Sequence, residues 1–190
     1  MARYKNQSSL LSETKQPSIL IVWCWWVWSM AAFYLAKMWL QNLWLIDKDD
    51  VEDHNVASQF YQETDIGKPK VEALANNIKL FTWVECTAIN NRWTTYIGKE
   101  LRSFDIVILA ADNMDVRKEV VDHYTKDPFC FIIESRMWWL EYIIQSFAFE
   151  QYDSWMASRF PQSEADPEVC TEKSICFNTW LIGSKIAETV

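Results

Sequence analysis

The chain has 190 residues, enough for one domain with a substantial core, and we expect a single domain at residues 18–190 behind an N-terminal arm at 1–17. Its formal net charge of -8 argues against nonspecific binding to nucleic acid or to an anionic membrane, because both require a basic surface. Five scattered cysteines without a CxxC pair favour a reducing cytosol and argue against a disulfide framework or a four-cysteine zinc site.

Glycine is scarce in this chain and tryptophan is abundant, with 3 glycines and 12 tryptophans. An average chain of this length would contain about 13 glycines, because mean glycine usage is near 7%. We interpret the imbalance as replacement of glycine by tryptophan at several positions. That hypothesis rests on where the tryptophans fall in the sequence.

The first predicted elements lie in the segment 18–49. Residues 19–22 predict a buried strand, residues 29–38 a helix, and residues 42–46 a second strand that ends at Asp47. This order is the pattern of a nucleotide-binding βαβ unit, whose first turn needs glycines in the spacing GxGxxG so that the backbone can approach a phosphate. The turn of this chain instead contains Trp23, Trp25, Trp26 and Trp28.

A membrane-spanning helix competes with this interpretation, because residues 18–36 carry no charge and are long enough to cross a bilayer. Against a span, the tryptophans lie in the middle of the segment, whereas spans place tryptophan at the membrane interfaces. The segment also continues directly into a strand and an acidic loop. We therefore favour the βαβ unit and predict a cytoplasmic protein without a membrane partner.

The rest of the chain alternates between predicted helices and strands. In chain order we predict a helix that opens at 64–70 and runs through 79, a strand at 84–89, a short helix at 97–101, a strand at 105–110, a helix at 114–124, strands at 129–134 and 142–149, a polar surface crossover at 151–169 and a final helix at 170–190. This alternation predicts an α/β fold with a mainly parallel sheet and helices on both faces. Ligands bind such sheets at the carboxyl ends of the strands, where Asp47 and Asp112 lie.

Several motifs occur together in the order ILIV, LIDKDDVEDHN, Gln59, GKPKVEAL and ADNMDVR. Together they resemble the ThiF-type adenylyltransferases, which are relatives of the ubiquitin-activating enzymes and adenylate the carboxyl terminus of sulfur-carrier and ubiquitin-like proteins. The resemblance covers about residues 18–190. It implies a Rossmann-like domain, an ATP and Mg²⁺ requirement, a small sulfur-carrier or ubiquitin-like partner protein, and a homodimer.

The resemblance also implies roles for individual residues. Asp47 would bind the ribose hydroxyls, Lys70 would contact phosphate, and Asp112 would hold Mg²⁺. Cys170 resembles the cysteine that some members use in a later thioester or persulfide step. The catalytic residues implied are Asp112, Lys70 and Cys170, and the ATP-binding positions implied are Trp23, Trp25, Trp26, Trp28, Asp47, Asp49, Asn55, Gln59, Lys70 and Asn113.

This chain departs from the family pattern at the turn and at two arginine positions. Ser58 and Asn6 stand where family members carry arginine, and the pair Trp138-Trp139 stands where they tend to have small residues. A non-glycine residue in left-handed backbone costs roughly 1–2 kcal/mol, and each overpacked side chain adds about 1–3 kcal/mol. The indoles would also fill space that the phosphates need. We therefore predict weak or absent ATP binding.

Simpler interpretations exist for each residue. Asp47 alone is compatible with a strand-end carboxylate, Lys70 with a solvated lysine, the Asp112-Asn113 pair with a helix N-cap, and Cys170 with an unreactive thiol. A noncatalytic partner-binding or dimerisation module of the same fold is therefore an alternative to the enzyme. A dinucleotide-dependent oxidoreductase is disfavoured, because Lys70 and Asp112-Asn113 would have no role in one.

Overall fold

The computed structural model describes residues 16–22, 26–101, 103–111, 113–138, 141–161 and 176–190. Within these ranges the strands are Ile19–Val22 (β1), Leu43–Asp47 (β2), Thr87–Asn90 (β3), Ile106–Leu109 (β4), Phe131–Trp138 (β5) and Glu141–Phe147 (β6). They form a sheet in the order β3-β2-β1-β4-β5-β6. All neighbouring pairs are parallel except β5 and β6, which are antiparallel. The predicted Rossmann-like α/β sheet is confirmed.

Helices cover both faces of this sheet. The described helices are Trp26–Lys37 (α1), Asp53–Val56 (α2), Lys70–Thr82 (α3), Thr95–Glu100 (α4), Met114–Tyr124 (α5), Tyr152–Ala157 (α6) and Cys176–Thr189 (α7). Side chains of α1, α3 and α7 pack with Ile19 and Ile21 in one core cluster. Side chains of α5 and α6 pack with Leu20 and Val22 in a second cluster. Strand β1 is therefore the central element, with all four side chains fully buried.

Several boundaries differ from the sequence prediction, and three of the differences are informative. Helix α1 begins at Trp26 and not at Ser29, so it includes part of the segment expected to form the phosphate turn. Strand β3 begins at Thr87 and not at Val84. This strand lies at the edge of the sheet and is mostly exposed, so its sequence lacks the apolar pattern that marks the ends of a buried strand. Strand β5 continues to Trp138, because antiparallel pairing with β6 extends it past the parallel region.

The predicted surface crossover at 151–169 begins differently from the prediction. Residues 152–157 form α6, and Trp155 on that helix is only 2% exposed. A polar sequence with one buried aromatic residue gave too weak a periodic signal for a helix of this length. The final helix is described from Cys176, and the predicted position of Cys170 lies outside the described residues.

None of the helices in the described ranges is long and apolar enough to cross a membrane. The uncharged segment that raised this alternative contains the buried strand β1, followed by helix α1 of 12 residues.

A buried charge network joins β5, α5 and α6. The carboxylate of Glu134 accepts hydrogen bonds from Arg117 Nη1 at 2.7 Å, from Arg136 Nε at 3.2 Å and Nη2 at 3.0 Å, and from Trp155 Nε1 at 2.8 Å. Burial raises the pKa of Glu134, but the Arg117 and Arg136 charges and these hydrogen bonds outweigh it, so the pKa lies below its ordinary value of 4.5. The network fixes α6 against the middle of β5.

Two tryptophans occupy left-handed backbone. Trp39 and Trp83 both have φ of 68°. Trp83 directly follows the last residue of α3, and Trp39 lies two residues past the end of α1. Trp83 is the C-terminal cap of α3, and its backbone N–H donates to Lys79 O at 2.9 Å. Glycine is the usual residue at such a position because it has no Cβ. These positions agree with the hypothesis that tryptophan stands where a glycine is favoured.

We expect Trp83→Gly to stabilise the protein by about 0.5–1 kcal/mol. The left-handed strain of roughly 1–2 kcal/mol would be relieved, offset by the greater backbone entropy that glycine loses on folding. Little packing would be lost, since Trp83 is 72% exposed. Urea unfolding measures the change. Trp180→Gly is the matched control, because Trp180 is also exposed but lies inside α7, where glycine should destabilise by about 1 kcal/mol. A loss of stability in Trp83→Gly would contradict the argument.

We expect Glu134→Gln to lower the free energy of unfolding at neutral pH by about 3–5 kcal/mol, because two buried arginines would lose their counter-charge. Since the folded-state pKa is lowered, the carboxylate stabilises above the unfolded-state pKa, near 4.5, and this contribution disappears as the pH falls through the folded value. The difference between variant and parent should therefore shrink in acid. Urea unfolding at several pH values measures both effects.

Glu188→Gln is the control for the buried network. Glu188 pairs with Lys185 on the exposed surface of α7, and removal of such a pair should change the free energy of unfolding by less than about 0.5 kcal/mol. If both variants lost the same free energy of unfolding, the buried network of Glu134 would stabilise the protein no more than an exposed ion pair does.

Candidate functional site

The carboxyl end of β2 places Asp47 in the interior of the protein. Asp47 is 2% exposed, and its Oδ1 accepts a hydrogen bond from the backbone N–H of Asp49 at 2.8 Å. The strand ends beside β1, with Ile46 paired to Val22. The carboxyl end of β1 therefore lies next to that of β2. Trp23 and Trp25 lie outside the described residues.

Lys70 and Asp49 are brought together next to Asp47 by backbone pairing. A bridge joins Asp50 to Pro69, and the backbone N–H of Lys70 donates to Asp49 O at 2.9 Å. Lys70 is only 3% exposed, and its Nζ lies 3.8 Å from Asp49 Oδ2. A buried ammonium group needs a nearby anion or several acceptors. The pairing thus keeps one positive charge at the same edge of the sheet as the Asp47 carboxylate.

Asn55 and Gln59 lie together in and just after α2. Their backbones are linked by a hydrogen bond from Gln59 N to Asn55 O at 2.9 Å, and the side chains are 1% and 6% exposed. The Oδ1 of Asn55 accepts from Glu52 N at 2.8 Å. Its Nδ2, and both side-chain polar atoms of Gln59, have no hydrogen-bond partner among the described residues.

These unpartnered amides fit the predicted site. A buried polar group without a partner costs about 1–3 kcal/mol, so such groups persist where a ligand or an ordered water satisfies them. Two amide nitrogens are hydrogen-bond donors suited to phosphate oxygens, and Lys70 adds a positive charge. The residues that the structure describes therefore fit a nucleotide with a phosphate chain.

The tryptophans predicted at the phosphate turn are only partly described. Trp26 is the first residue of α1. Trp28 lies two residues further along this helix, where its indole is fully buried in the core cluster of α1. Its Nε1 has no hydrogen-bond partner among the described residues. For Trp28 the structure therefore shows a core side chain, and the effect of the indoles on phosphate binding stays a prediction.

Asn113 is the N-cap of α5. Its Oδ1 accepts hydrogen bonds from Asp115 N at 2.8 Å and from Val116 N at 3.1 Å, so the structure assigns it the capping role. The preceding residue, Asp112, lies outside the described residues, as does Cys170. Among the residues described, no group of three or more His, Cys, Asp or Glu side chains could hold a metal ion.

Two hydroxyl side chains that the motifs did not indicate hold the segment around Gln59. Ser29 Oγ accepts a hydrogen bond from Phe60 N at 3.0 Å. Thr179 Oγ1 donates to Ser58 O at 2.7 Å, across a separation of 121 residues. A contact this distant in sequence leaves no local pattern, so only the fold reveals it.

A family model and several solved structures match this chain. A family model described as "ThiF family" matches residues 7–131, more than half of the chain. No curated protein sequence matches the chain significantly. Among solved structures, E. coli MccB with ATP has 14% sequence identity and a TM-score of 0.72, and the match covers 98% of this chain and 56% of that one.

Two further structures are similar. PaaA has 18% identity and a TM-score of 0.75, with 98% of this chain and 56% of that chain covered. The structure described as TcdA (CsdL) has 16% identity and a TM-score of 0.73, with 99% and 92% covered. The chain thus spans little more than half the length of MccB and PaaA. At these identities the structural similarity shows the fold alone. The family-model match, over more than half of the chain, shows the family. The chain belongs to the ThiF family.

Proposed function

We propose that this chain is an adenylyltransferase domain that uses ATP and Mg²⁺ to activate the terminal carboxylate of a small sulfur-carrier or ubiquitin-like protein, with ATP binding impaired by tryptophan at the glycine positions of the turn. The observation that carries the proposal is the pair of buried amides of Asn55 and Gln59, which have atoms without a partner among the described residues. E. coli MccB has been crystallised with AMPCPP together with MccA, which supports a site that holds a nucleotide and a second molecule at once.

Each residue of the site has a role in this proposal. Asp47, at the end of β2, would accept hydrogen bonds from the ribose hydroxyls. Asn55 and Gln59 would donate their amide N–H groups to phosphate oxygens, which would satisfy atoms that have no partner among the described residues. Lys70 would move its ammonium group from Asp49 toward the phosphates and neutralise charge there. Asp112 is proposed as the Mg²⁺ ligand, because its carboxylate supplies the hard oxygen that this ion prefers.

Bound ATP would supply the adenylyl group that activates the carboxylate, with release of pyrophosphate. The contribution of the protein is positioning and charge stabilisation, since the described site holds one buried lysine and no cluster of bases. Cys170 is proposed for a later thioester or persulfide step. We also propose that the domain acts in the cytoplasm as a homodimer.

We expect calorimetry to show weak or no Mg·ATP binding by this chain, and binding by a variant with glycine at positions 23, 25, 26 and 28. Glycine allows the close backbone approach that a phosphate needs at a helix N-terminus. Trp83→Gly is the matched control, because it also removes a tryptophan but lies at the far end of α3; it should leave binding unchanged. Equal binding by the tryptophan chain would refute the steric argument. If both proteins are folded and neither binds, the noncatalytic partner-binding module becomes the better explanation.

In the glycine variant, we expect Lys70→Met to slow ATP–pyrophosphate exchange by about 10²-fold, the usual effect of removing one preorganised charge-stabilising group. Lys79→Met is the matched control: it lies on the same helix, and its exposed ammonium group pairs with Glu85. Exchange in this control should match the parent. A Lys70→Met variant that is folded and exchanges at the parental rate would remove Lys70 from the proposed site.

A further inference from the structure

The two peptide groups that flank Gln59 are each held by a hydroxyl from a different helix. On the amino side, Ser58 O accepts from Thr179 Oγ1 at 2.7 Å. On the carboxyl side, Phe60 N donates to Ser29 Oγ at 3.0 Å. The N–H of Gln59 itself donates to Asn55 O at 2.9 Å. Three hydrogen bonds therefore fix the backbone of a residue whose own side-chain amide has no partner among the described residues.

Helix packing fixes the position of Thr179. Helix α7 lies directly on α1, because a Cβ added to Gly183 would lie 2.8 Å from Met30 Cβ and 2.9 Å from Ala31 N. Thr179 and Gly183 are one turn apart on the same face of α7, and Thr179 is fully buried. The close packing of α7 on the first half of α1 therefore holds the Thr179 hydroxyl in place.

We propose that Thr179 is a positioning residue for the phosphate side of the nucleotide site, an inference that rests on the proposed function. By holding Ser58 O, the hydroxyl sets the peptide plane from which the Gln59 amide projects. A donor that must meet a ligand oxygen needs this preorganisation, since small misplacements weaken such contacts strongly. The C-terminal helix thereby becomes part of the site, although it lies outside residues 7–131, which the family model matches.

The first test measures positioning directly in the unaltered full chain. Thr179→Val keeps the shape of the side chain and removes the donor, and Thr179→Ser keeps the donor. The control Thr189→Val removes a hydroxyl that donates to Lys185 O, within α7 itself. Hydrogen exchange at the amides of Gln59 and Phe60 should be about fivefold faster in Thr179→Val, the factor expected for one ordinary hydrogen bond. It should be unchanged in the other two variants. Unchanged exchange in Thr179→Val would overturn the proposal.

The second test separates positioning from general stability, in the variant with glycine at positions 23, 25, 26 and 28. Thr179→Val should weaken Mg·ATP binding about fivefold, as measured by calorimetry, and leave adenosine binding unchanged, as measured by NMR titration, because adenosine lacks the phosphates. Thr179→Ser should restore ATP affinity. Equal weakening for both ligands, or none for ATP, would overturn the proposal. If the glycine variant itself does not bind ATP, the proposed function fails, whereas the exchange experiment still decides whether Thr179 orders Gln59.

Discussion

The burial of both faces of β1 is the constraint on which the rest of the structure depends. All four of its side chains are completely buried, so each face of the sheet needs a layer of helices, and the chain must cross from one face to the other. The parallel strands on either side of β1 then end at one edge of the sheet. Asp47 reaches this edge because β2 ends there, and α5 starts from it after β4. The location of the site is thus a consequence of how the core is covered.

Some buried polar side chains of the described residues are fully paired, and others, including two of the candidate site, are not. Glu134 is fully buried as a side chain, and its two oxygens accept hydrogen bonds from two arginines and a tryptophan. Asn77 is likewise paired, donating to Asp65 Oδ2 and Phe60 O. The amides of Asn55 and Gln59 are equally buried and keep atoms without partners among the described residues. Other buried polar atoms also lack a partner among the described residues, including Trp28 Nε1 and Arg159 Nε. Asn55 and Gln59 differ from these because they follow Asp47 and Asp49 in the same group of motifs, which is why we assign these two amides to a ligand.

Much of this fold could be predicted from the sequence, because its strongest signals are local. Continuous apolar runs predicted β1 and β4, and helical periodicity predicted α5 with the boundaries that the structure shows. The candidate residues near Asp47 were identified from their order in a motif. The antiparallel extension of β5, helix α6 with its buried Trp155, and the bond between Thr179 and Ser58 depend on contacts between distant segments. No local pattern encodes such contacts, so they could not be predicted.

The packing of α7 on α1 has a consequence for the order in which contacts form during synthesis. Helix α1 is synthesised early and α7 at the end of the described chain, so α1 leaves the ribosome without the partner that covers its outer side. At typical synthesis rates of about 5–20 residues per second, this apolar surface waits for of the order of ten seconds. The hydrogen bond from Thr179 to Ser58 O cannot form before α7 has been synthesised. The packing of α7 on α1 and the bond to Ser58 therefore form only after the rest of the described sheet has been synthesised.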